Sequence, residues 1–166
     1  MKITASAERR IEAPASRVYA YIADFRQHHP NFLPSAFSDL VVEQGGVGAG
    51  TVHRFSLALG GRTASTRVRV DEPEPGRLLT ESELDTARGM VTTFTVDPAP
   101  RGMSHVRIET TWETSGPRGL VERLVAQPML RRLYAEELRL LDAYAHERSR
   151  TSPRIVPSAG RGIVVG

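Results

Sequence analysis

Val52–Val70 reads VHRFSLALGGRTASTRVRV, two runs that alternate inward and outward side chains on either side of Gly60-Gly61. Alternation with period two predicts strands with one buried face, and a Gly-Gly pair between them predicts a two-residue hairpin loop. That loop pairs Leu57 with Ala64, Phe55 with Thr66 and His53 with Val68.

Three more hairpins follow, broken by turn residues at 72–76, 86–89 and 97–102, two of these breaks holding two prolines each. Short turns predict the pairs Thr66 with Ser82, Val68 with Thr80 and Val70 with Leu78, then Ser82 with Thr92, Thr80 with Phe94 and Leu84 with Met90. The last turn predicts Thr92 with Thr110, Phe94 with Ile108 and Met90 with Trp112. One face then collects the large apolar side chains. The other collects Arg54, Arg67, Arg69, Glu81, Glu83, Arg107 and Glu109, with Arg67 and Glu81 as an exposed cross-strand pair.

Upstream, residues 3–11 and 37–44 read as two further strands. Between them Val18, Tyr21, Ile22 and Phe25 follow Pro14 at helical spacing, and a second short helix or turn ends near Pro34. From Gly116 the period becomes 3.6, with Leu120, Leu124, Leu130, Leu133 or Tyr134, Leu138, Leu141 and Ala145 on one face of a long helix kinked or restarted at Pro128. A sheet with one apolar face needs a cover, and only this helix is long enough. The predicted fold is therefore α+β: a seven-stranded curved antiparallel sheet around a long C-terminal helix, with two short helices between strands 1 and 2. The domain spans residues 1–148, and 149–166, rich in Ser, Pro, Gly and Arg, reads as a disordered tail.

Composition narrows the chemistry. With 166 residues, 40% hydrophobic and 25% charged, the chain fits one globular domain, and it holds no apolar run near the roughly 18 residues that span a bilayer. No signal peptide is evident at the N-terminus, so a cytoplasmic location is the default and stable membrane insertion is not expected. Cysteine is absent, which removes disulfides, thiolate nucleophiles and sulfur-ligated zinc. The net charge of +3 comes from scattered arginines with Lys2 the sole lysine, a weak footprint for nucleic acid.

Gly46-Val47-Gly48-Ala49-Gly50 precedes a strand rather than a helix and reads as a hairpin loop, not a dinucleotide site. Neither a Gly-x-Ser-x-Gly elbow nor a His-Glu-x-x-His helix occurs. His28 and His29 diverge on any helix and His105 and His146 fall outside, so no metal site and no cofactor is predicted.

The inward face carries a row of hydroxyls, Thr66, Ser82, Thr92 and Thr110, beside Phe55 and flanked by apolar rows. Such a row either satisfies itself or solvates one polar end of an apolar ligand. The predicted cavity is lined by Phe25, His29, Phe32, His53, Phe55, Leu57, Thr66, Val68, Thr80, Ser82, Thr92, Phe94, Ile108, Thr110, Trp112, Leu124 and Tyr134. His53 points inward, as a satisfied rim histidine or an acid/base group. Arg9 shares the inward parity of its strand and reaches either the rim or an anionic ligand group. Tyr134 packs in the core or donates a hydrogen bond.

Ile11-Glu12-Ala13-Pro14, Val18-Tyr19-Ala20, the 24–34 segment, Gly48-Ala49-Gly50-Thr51, Glu72 through Leu78 and the final helix together resemble the START-like superfamily, specifically its bacterial polyketide cyclase/dehydrase and lipid-transport members. The resemblance covers about residues 3–147 and implies a helix-grip fold with ligand between sheet and helix. Many such members have tryptophan where this chain has His29 and Phe32, which implies a more polar cavity mouth. Two functions stay open: a carrier for a lipid, isoprenoid or polyketide-like molecule, or a cofactor-independent cyclase, aromatase or dehydratase using His53, Tyr134 and Arg9. An enzyme needs at least two titratable groups converging in the cavity. No exposed apolar patch is predicted on the outer face, and the oligomeric state, monomer or dimer, is open.

Overall fold

The computed structural model describes residues 1–151. Strands β1 (Lys2–Ile11), β2 (Phe37–Gln44), β3 (Val52–Leu59), β4 (Arg62–Glu74), β5 (Leu78–Glu83), β6 (Val91–Ala99) and β7 (Met103–Glu113) form one antiparallel sheet in the order β1-β7-β6-β5-β4-β3-β2. Helix α1 (Ala15–Ala23) and a 3-10 turn (His29–Phe32) link β1 to β2. After β7 come α2 (Gly116–Val121), a π-helical turn (Glu122–Ala126) and α3 (Gln127–Thr151). The helix-grip prediction holds. Helix α3 runs through Thr151, and residues 152–166 of the expected tail lie outside the described residues.

The β3–β4 and β6–β7 hairpins keep the predicted registers: Phe55 opposes Thr66, and Thr92 opposes Thr110. β5 does not. β4 continues to Glu74 through an irregularity between Asp71 and Glu74, so Val68 opposes Glu83 and Val70 opposes Glu81. On the other side Glu81 opposes Thr92 and Leu79 opposes Phe94. The offset is an odd number of residues, which turns the whole strand over. Glu81 and Glu83 face inward, Thr80 and Ser82 outward, and Arg67 pairs with Glu43 at 2.6 Å instead of Glu81.

The extension of β4 has a visible anchor. Glu72 accepts a hydrogen bond from the Tyr19 hydroxyl at 2.6 Å and another from the Ala49 amide at 2.8 Å. Gly48 lies so close that a Cβ there would meet Glu72 Oε2 at 2.4 Å. The glycine loop thus docks α1 onto the sheet, and Gly48 donates its amide to the Ala23 carbonyl.

Helix α3 packs chiefly along β1, at one edge of the sheet, through Leu130, Leu133, Leu138, Leu141 and Ala145. The concave surface of β3 to β6 is left partly uncovered, and small side chains such as Ala64 and Thr66 on β4 do not fill it. Space remains between helix and strands. The π turn shifts the phase of the helical face. Leu120 and Leu124, predicted to face inward, are therefore exposed, Leu124 at 67%, beside exposed Val121 and Val125.

Candidate functional site

A cavity of about 400 Å³ lies between α3 and the sheet. Its walls are mostly apolar: Phe37 and Leu40 from β2, Phe55, Leu57 and Leu59 from β3, Val68 from β4, Phe94 from β6, Trp112 from β7 and Leu130 from α3. Two of its ends differ. Exposed Arg62 and half-buried Arg88, with Glu83 and Glu122, mark the open end, while buried His29, His53 and Glu137, with Glu81, mark the closed one.

The closed end is built from four elements. His53 on β3 lies 3.0 Å by Nε2 from Glu81 Oε1 on β5. His29, from the 3-10 turn, donates Nδ1–H to the Ile22 carbonyl at 2.7 Å, which leaves Nε2 facing Glu137 Oε1 of α3 at 3.8 Å. The Phe25 ring is stacked between the two imidazoles, with centroids 4.6 Å from His29 and 4.5 Å from His53. This sandwich fixes both ring planes from behind the cavity wall.

Electrostatics sort these groups. Burial, reinforced by the negative charge of Glu81, pushes the Glu137 carboxyl up to about 8. Glu81 is opposed by the same burial, yet the hydrogen bond and charge of His53, with His29 beyond, hold it below the usual carboxylate range. Burial pushes His29 down, against the attraction of Glu81. At neutral pH the closed end therefore holds a protonated Glu137, an ionised Glu81 and an unprotonated His29. Glu137 Oε1 and His53 Nδ1 are buried without a hydrogen-bond partner among the described residues, an unusual condition for such polar atoms.

A second polar element is a hydroxyl chain. Thr92 meets Thr110 at 2.7 Å, and Thr110 meets Tyr134 of α3 at 2.5 Å. Burial raises the Tyr134 hydroxyl further above its already high value, so Tyr134 stays a neutral hydrogen-bonding group. The predicted hydroxyl row thus survives in part, with Glu81 where Ser82 was expected.

Of the predicted lining, His29, His53, Phe55, Leu57, Thr66, Val68, Thr92, Phe94, Trp112 and Tyr134 do border the cavity. Phe25, Phe32, Ile108 and Thr110 are packed behind it, each under 2% exposed. Thr80 and Ser82 lie on the outer face because β5 is turned over, and Leu124 faces away because of the π turn. His29 and Phe32 are buried rather than at the mouth. Arg9 is exposed and its guanidinium pairs with Asp142 of α3 at 3.0 Å, away from the cavity lining. Sequence reasoning missed Glu81 and Glu137. The second was legible: residue 137 follows Leu130, Leu133 and Tyr134 at helical spacing on the buried face.

Residues 2–146 match the family model described as polyketide cyclase / dehydrase and lipid transport, and the chain belongs to that family. Among solved structures it is similar to the KanY protein, with 30% identity, a TM-score of 0.77, and coverage of 88% of this chain and 99% of that one. It also resembles the Zhui aromatase/cyclase from Streptomyces sp. R1128, at 17% identity and a TM-score of 0.74, covering 91% of this chain and 98% of that one. Norcoclaurine synthase from Thalictrum flavum, in complex with dopamine and hydroxybenzaldehyde, shares the fold at 17% identity and a TM-score of 0.66, covering 93% and 90%. No curated protein matches the chain.

Proposed function

We propose that this protein takes up a small, largely apolar molecule with an oxygen function at one end, a lipid-, isoprenoid- or polyketide-like compound, in the cavity beneath α3. One observation carries the reading: an apolar cavity of about 400 Å³ ends on a compact polar cluster of His29, His53, Glu81 and Glu137. A ligand site of that size and polarity is typical of small-molecule recognition. The protonated Glu137 donates to a carbonyl or hydroxyl oxygen, and the aliphatic and aromatic walls take the rest. Native mass spectrometry of protein purified from its own host tests this directly. Its companion is a melting series with lipids and aromatic polyketides, in which a ligand at a hundred times its Kd stabilises by about 2.7 kcal/mol. A protein that purifies empty and is unshifted by every compound rules the reading out.

A second reading, acid/base catalysis of cyclisation or dehydration, is favoured by the convergence of titratable groups at that same closed end. Glu137 supplies a proton, and the unprotonated His29 Nε2, 3.8 Å away, accepts one. Ionised Glu81, 3.0 Å from His53 Nε2, places its carboxylate beside the site. The support extends to the family, whose description includes cyclases. Single-turnover assays with poly-β-ketone substrates separate the two. Catalysis predicts a rate that falls above about pH 8 as Glu137 ionises and is lost in Glu137→Gln, while ligand binding persists. A pH-independent rate, or one unchanged in Glu137→Gln, leaves only the carrier.

A further inference from the structure

We infer that the exposed face of α2 and the π turn is a docking surface for an anionic lipid bilayer. Leu120, Val121, Leu124 and Val125 are all more than half exposed on this short stretch, on the side opposite Gly119, Glu122 and Ala126. Four adjacent aliphatic side chains held in water mark an interaction surface.

Charge selects the partner. Residues 116–132 contain Arg118, Arg123, Arg131 and Arg132 against one carboxylate, Glu122. That carboxylate is turned inward, accepting from Trp112 Nε1 at 3.0 Å and from Arg118 Nε at 2.9 Å. Beside the apolar strip a cleft between the start of β1 and α3 gathers Lys2, Arg107, Arg123 and Arg131. Among the described residues Lys2, Arg123 and Arg131 make no ion pair, whereas Arg107 is matched by Glu109 and Glu8. An apolar strip flanked by unpaired cations on a helix is the pattern that lies in the plane of an anionic interface. A pairing of two copies through the same strip would bring two arginine-rich flanks together with no surplus of carboxylates to match them, which opposes self-association.

The position couples docking to the cavity. The same stretch contributes Glu122 and Ala126 to the cavity lining, and Leu130 follows one turn later. A bilayer seated on Leu120 and Leu124 lies on the outer side of the wall whose inner side touches ligand. Among the described residues no helix is long and apolar enough to cross a membrane, so this contact is peripheral. It stands independently of what the cavity holds.

The test is co-sedimentation of the full chain with phosphatidylcholine vesicles that contain or lack phosphatidylglycerol, at low and high salt. Binding is expected only with phosphatidylglycerol and is expected to weaken with salt. Arg123→Gln/Arg131→Gln weakens it about thirty-fold, since each cation near an anionic surface contributes roughly a factor of five. Leu120→Ser/Leu124→Ser weakens it at least about tenfold by removing the inserted surface. Arg139→Gln, an exposed arginine roughly 24 Å along the helix from Arg123, changes net charge as Arg123→Gln does and leaves binding intact. All the substituted side chains are exposed, and unchanged thermal unfolding verifies the fold. Failure to bind phosphatidylglycerol vesicles, equal binding to both vesicle types, insensitivity to the Leu and Arg variants, or a dimer that buries the strip each overturns the proposal.

Discussion

Glu122 and Glu137 come from one continuous helical stretch and both line the cavity, yet they sit in opposite chemical worlds. At the open end Glu122 is surrounded by donors: Trp112 Nε1, Arg118 and, at 3.5 Å, Arg88. At the closed end Glu137 is 3% exposed, pairs with no arginine among the described residues, and faces the uncharged edge of His29. Desolvation without a compensating donor or cation keeps the Glu137 carboxyl protonated. One cavity thereby offers an acid at one end and an ion-pair network at the other. The difference teaches that reactivity here follows from what the fold withholds from Glu137.

The largest effect is expected at the closed end. Glu81→Ala leaves His53 Nε2, on a side chain 2% exposed, without its hydrogen-bond partner, and a buried polar group left unsatisfied costs up to about 3 kcal/mol, read as a drop in the urea midpoint. Glu81→Leu/His53→Leu recovers most of that loss, because replacing both hydrogen-bond partners by apolar groups of similar shape can be nearly neutral. A double variant as unstable as the single would show that the pair is not the source. The next effect depends on pH. Glu137 titrates at about 8 in the folded state and near 4.5 when unfolded, so the folded state holds a proton that the unfolded chain has lost. Stability due to this group therefore falls as pH rises through that interval. Below pH 6.5 the depressed His29 also contributes, and the depressed Glu81 does so only in acid. From pH 6.5 to 8, wild type should lose about 2 kcal/mol relative to Glu137→Gln. Parallel stability profiles for the two proteins would break the contrast between the ends.

A smaller effect separates the hydroxyl chain from the outward face. Thr110→Val removes the link between Thr92 and Tyr134 and should cost about 1–2 kcal/mol by denaturation, whereas Thr80→Val, on the outer face, should change stability by no more than about 0.5 kcal/mol. Thr80 was expected inside, and its error shows how much of the molecule could be read without a structure. Element order, helix cover and two of the four hairpin registers, β3–β4 and β6–β7, follow from turn residues and periodicity, because those hairpins place unambiguous apolar rows on one side. β5 does not, since Leu78 and Leu79 are both apolar and support either parity. The pattern favours the parity that hides fewer charges, and the fold adopts the other, burying Leu79 and admitting Glu81 and Glu83 to the cavity side. That choice conflicts with hydrophobic patterning at the very strand that carries the acid partner of His53. Local rules tend to fail at functional sites for this reason. The extended β4, held through Glu72 by Tyr19 and Ala49, is a tertiary constraint that no turn rule contains.

The smallest expected effect is at the open end. Glu122→Gln keeps an acceptor for Trp112 Nε1 and deletes only the charge facing Arg118, which is 70% exposed, and Arg88, which is 37% exposed. Exposed ion pairs of this kind contribute about 0.2–1 kcal/mol, so the variant should lose about 0.5 kcal/mol at low ionic strength. In 1 M salt the screening length shrinks to about 3 Å and the difference from wild type should vanish, while the Glu81→Ala deficit, arising from a buried pair, should persist. Chemical denaturation with urea, which is uncharged, at both salt concentrations measures the two together. A salt-resistant loss of several kcal/mol in Glu122→Gln would make the open end as desolvated as the closed one, and the asymmetry that singles out Glu137 would then have another origin.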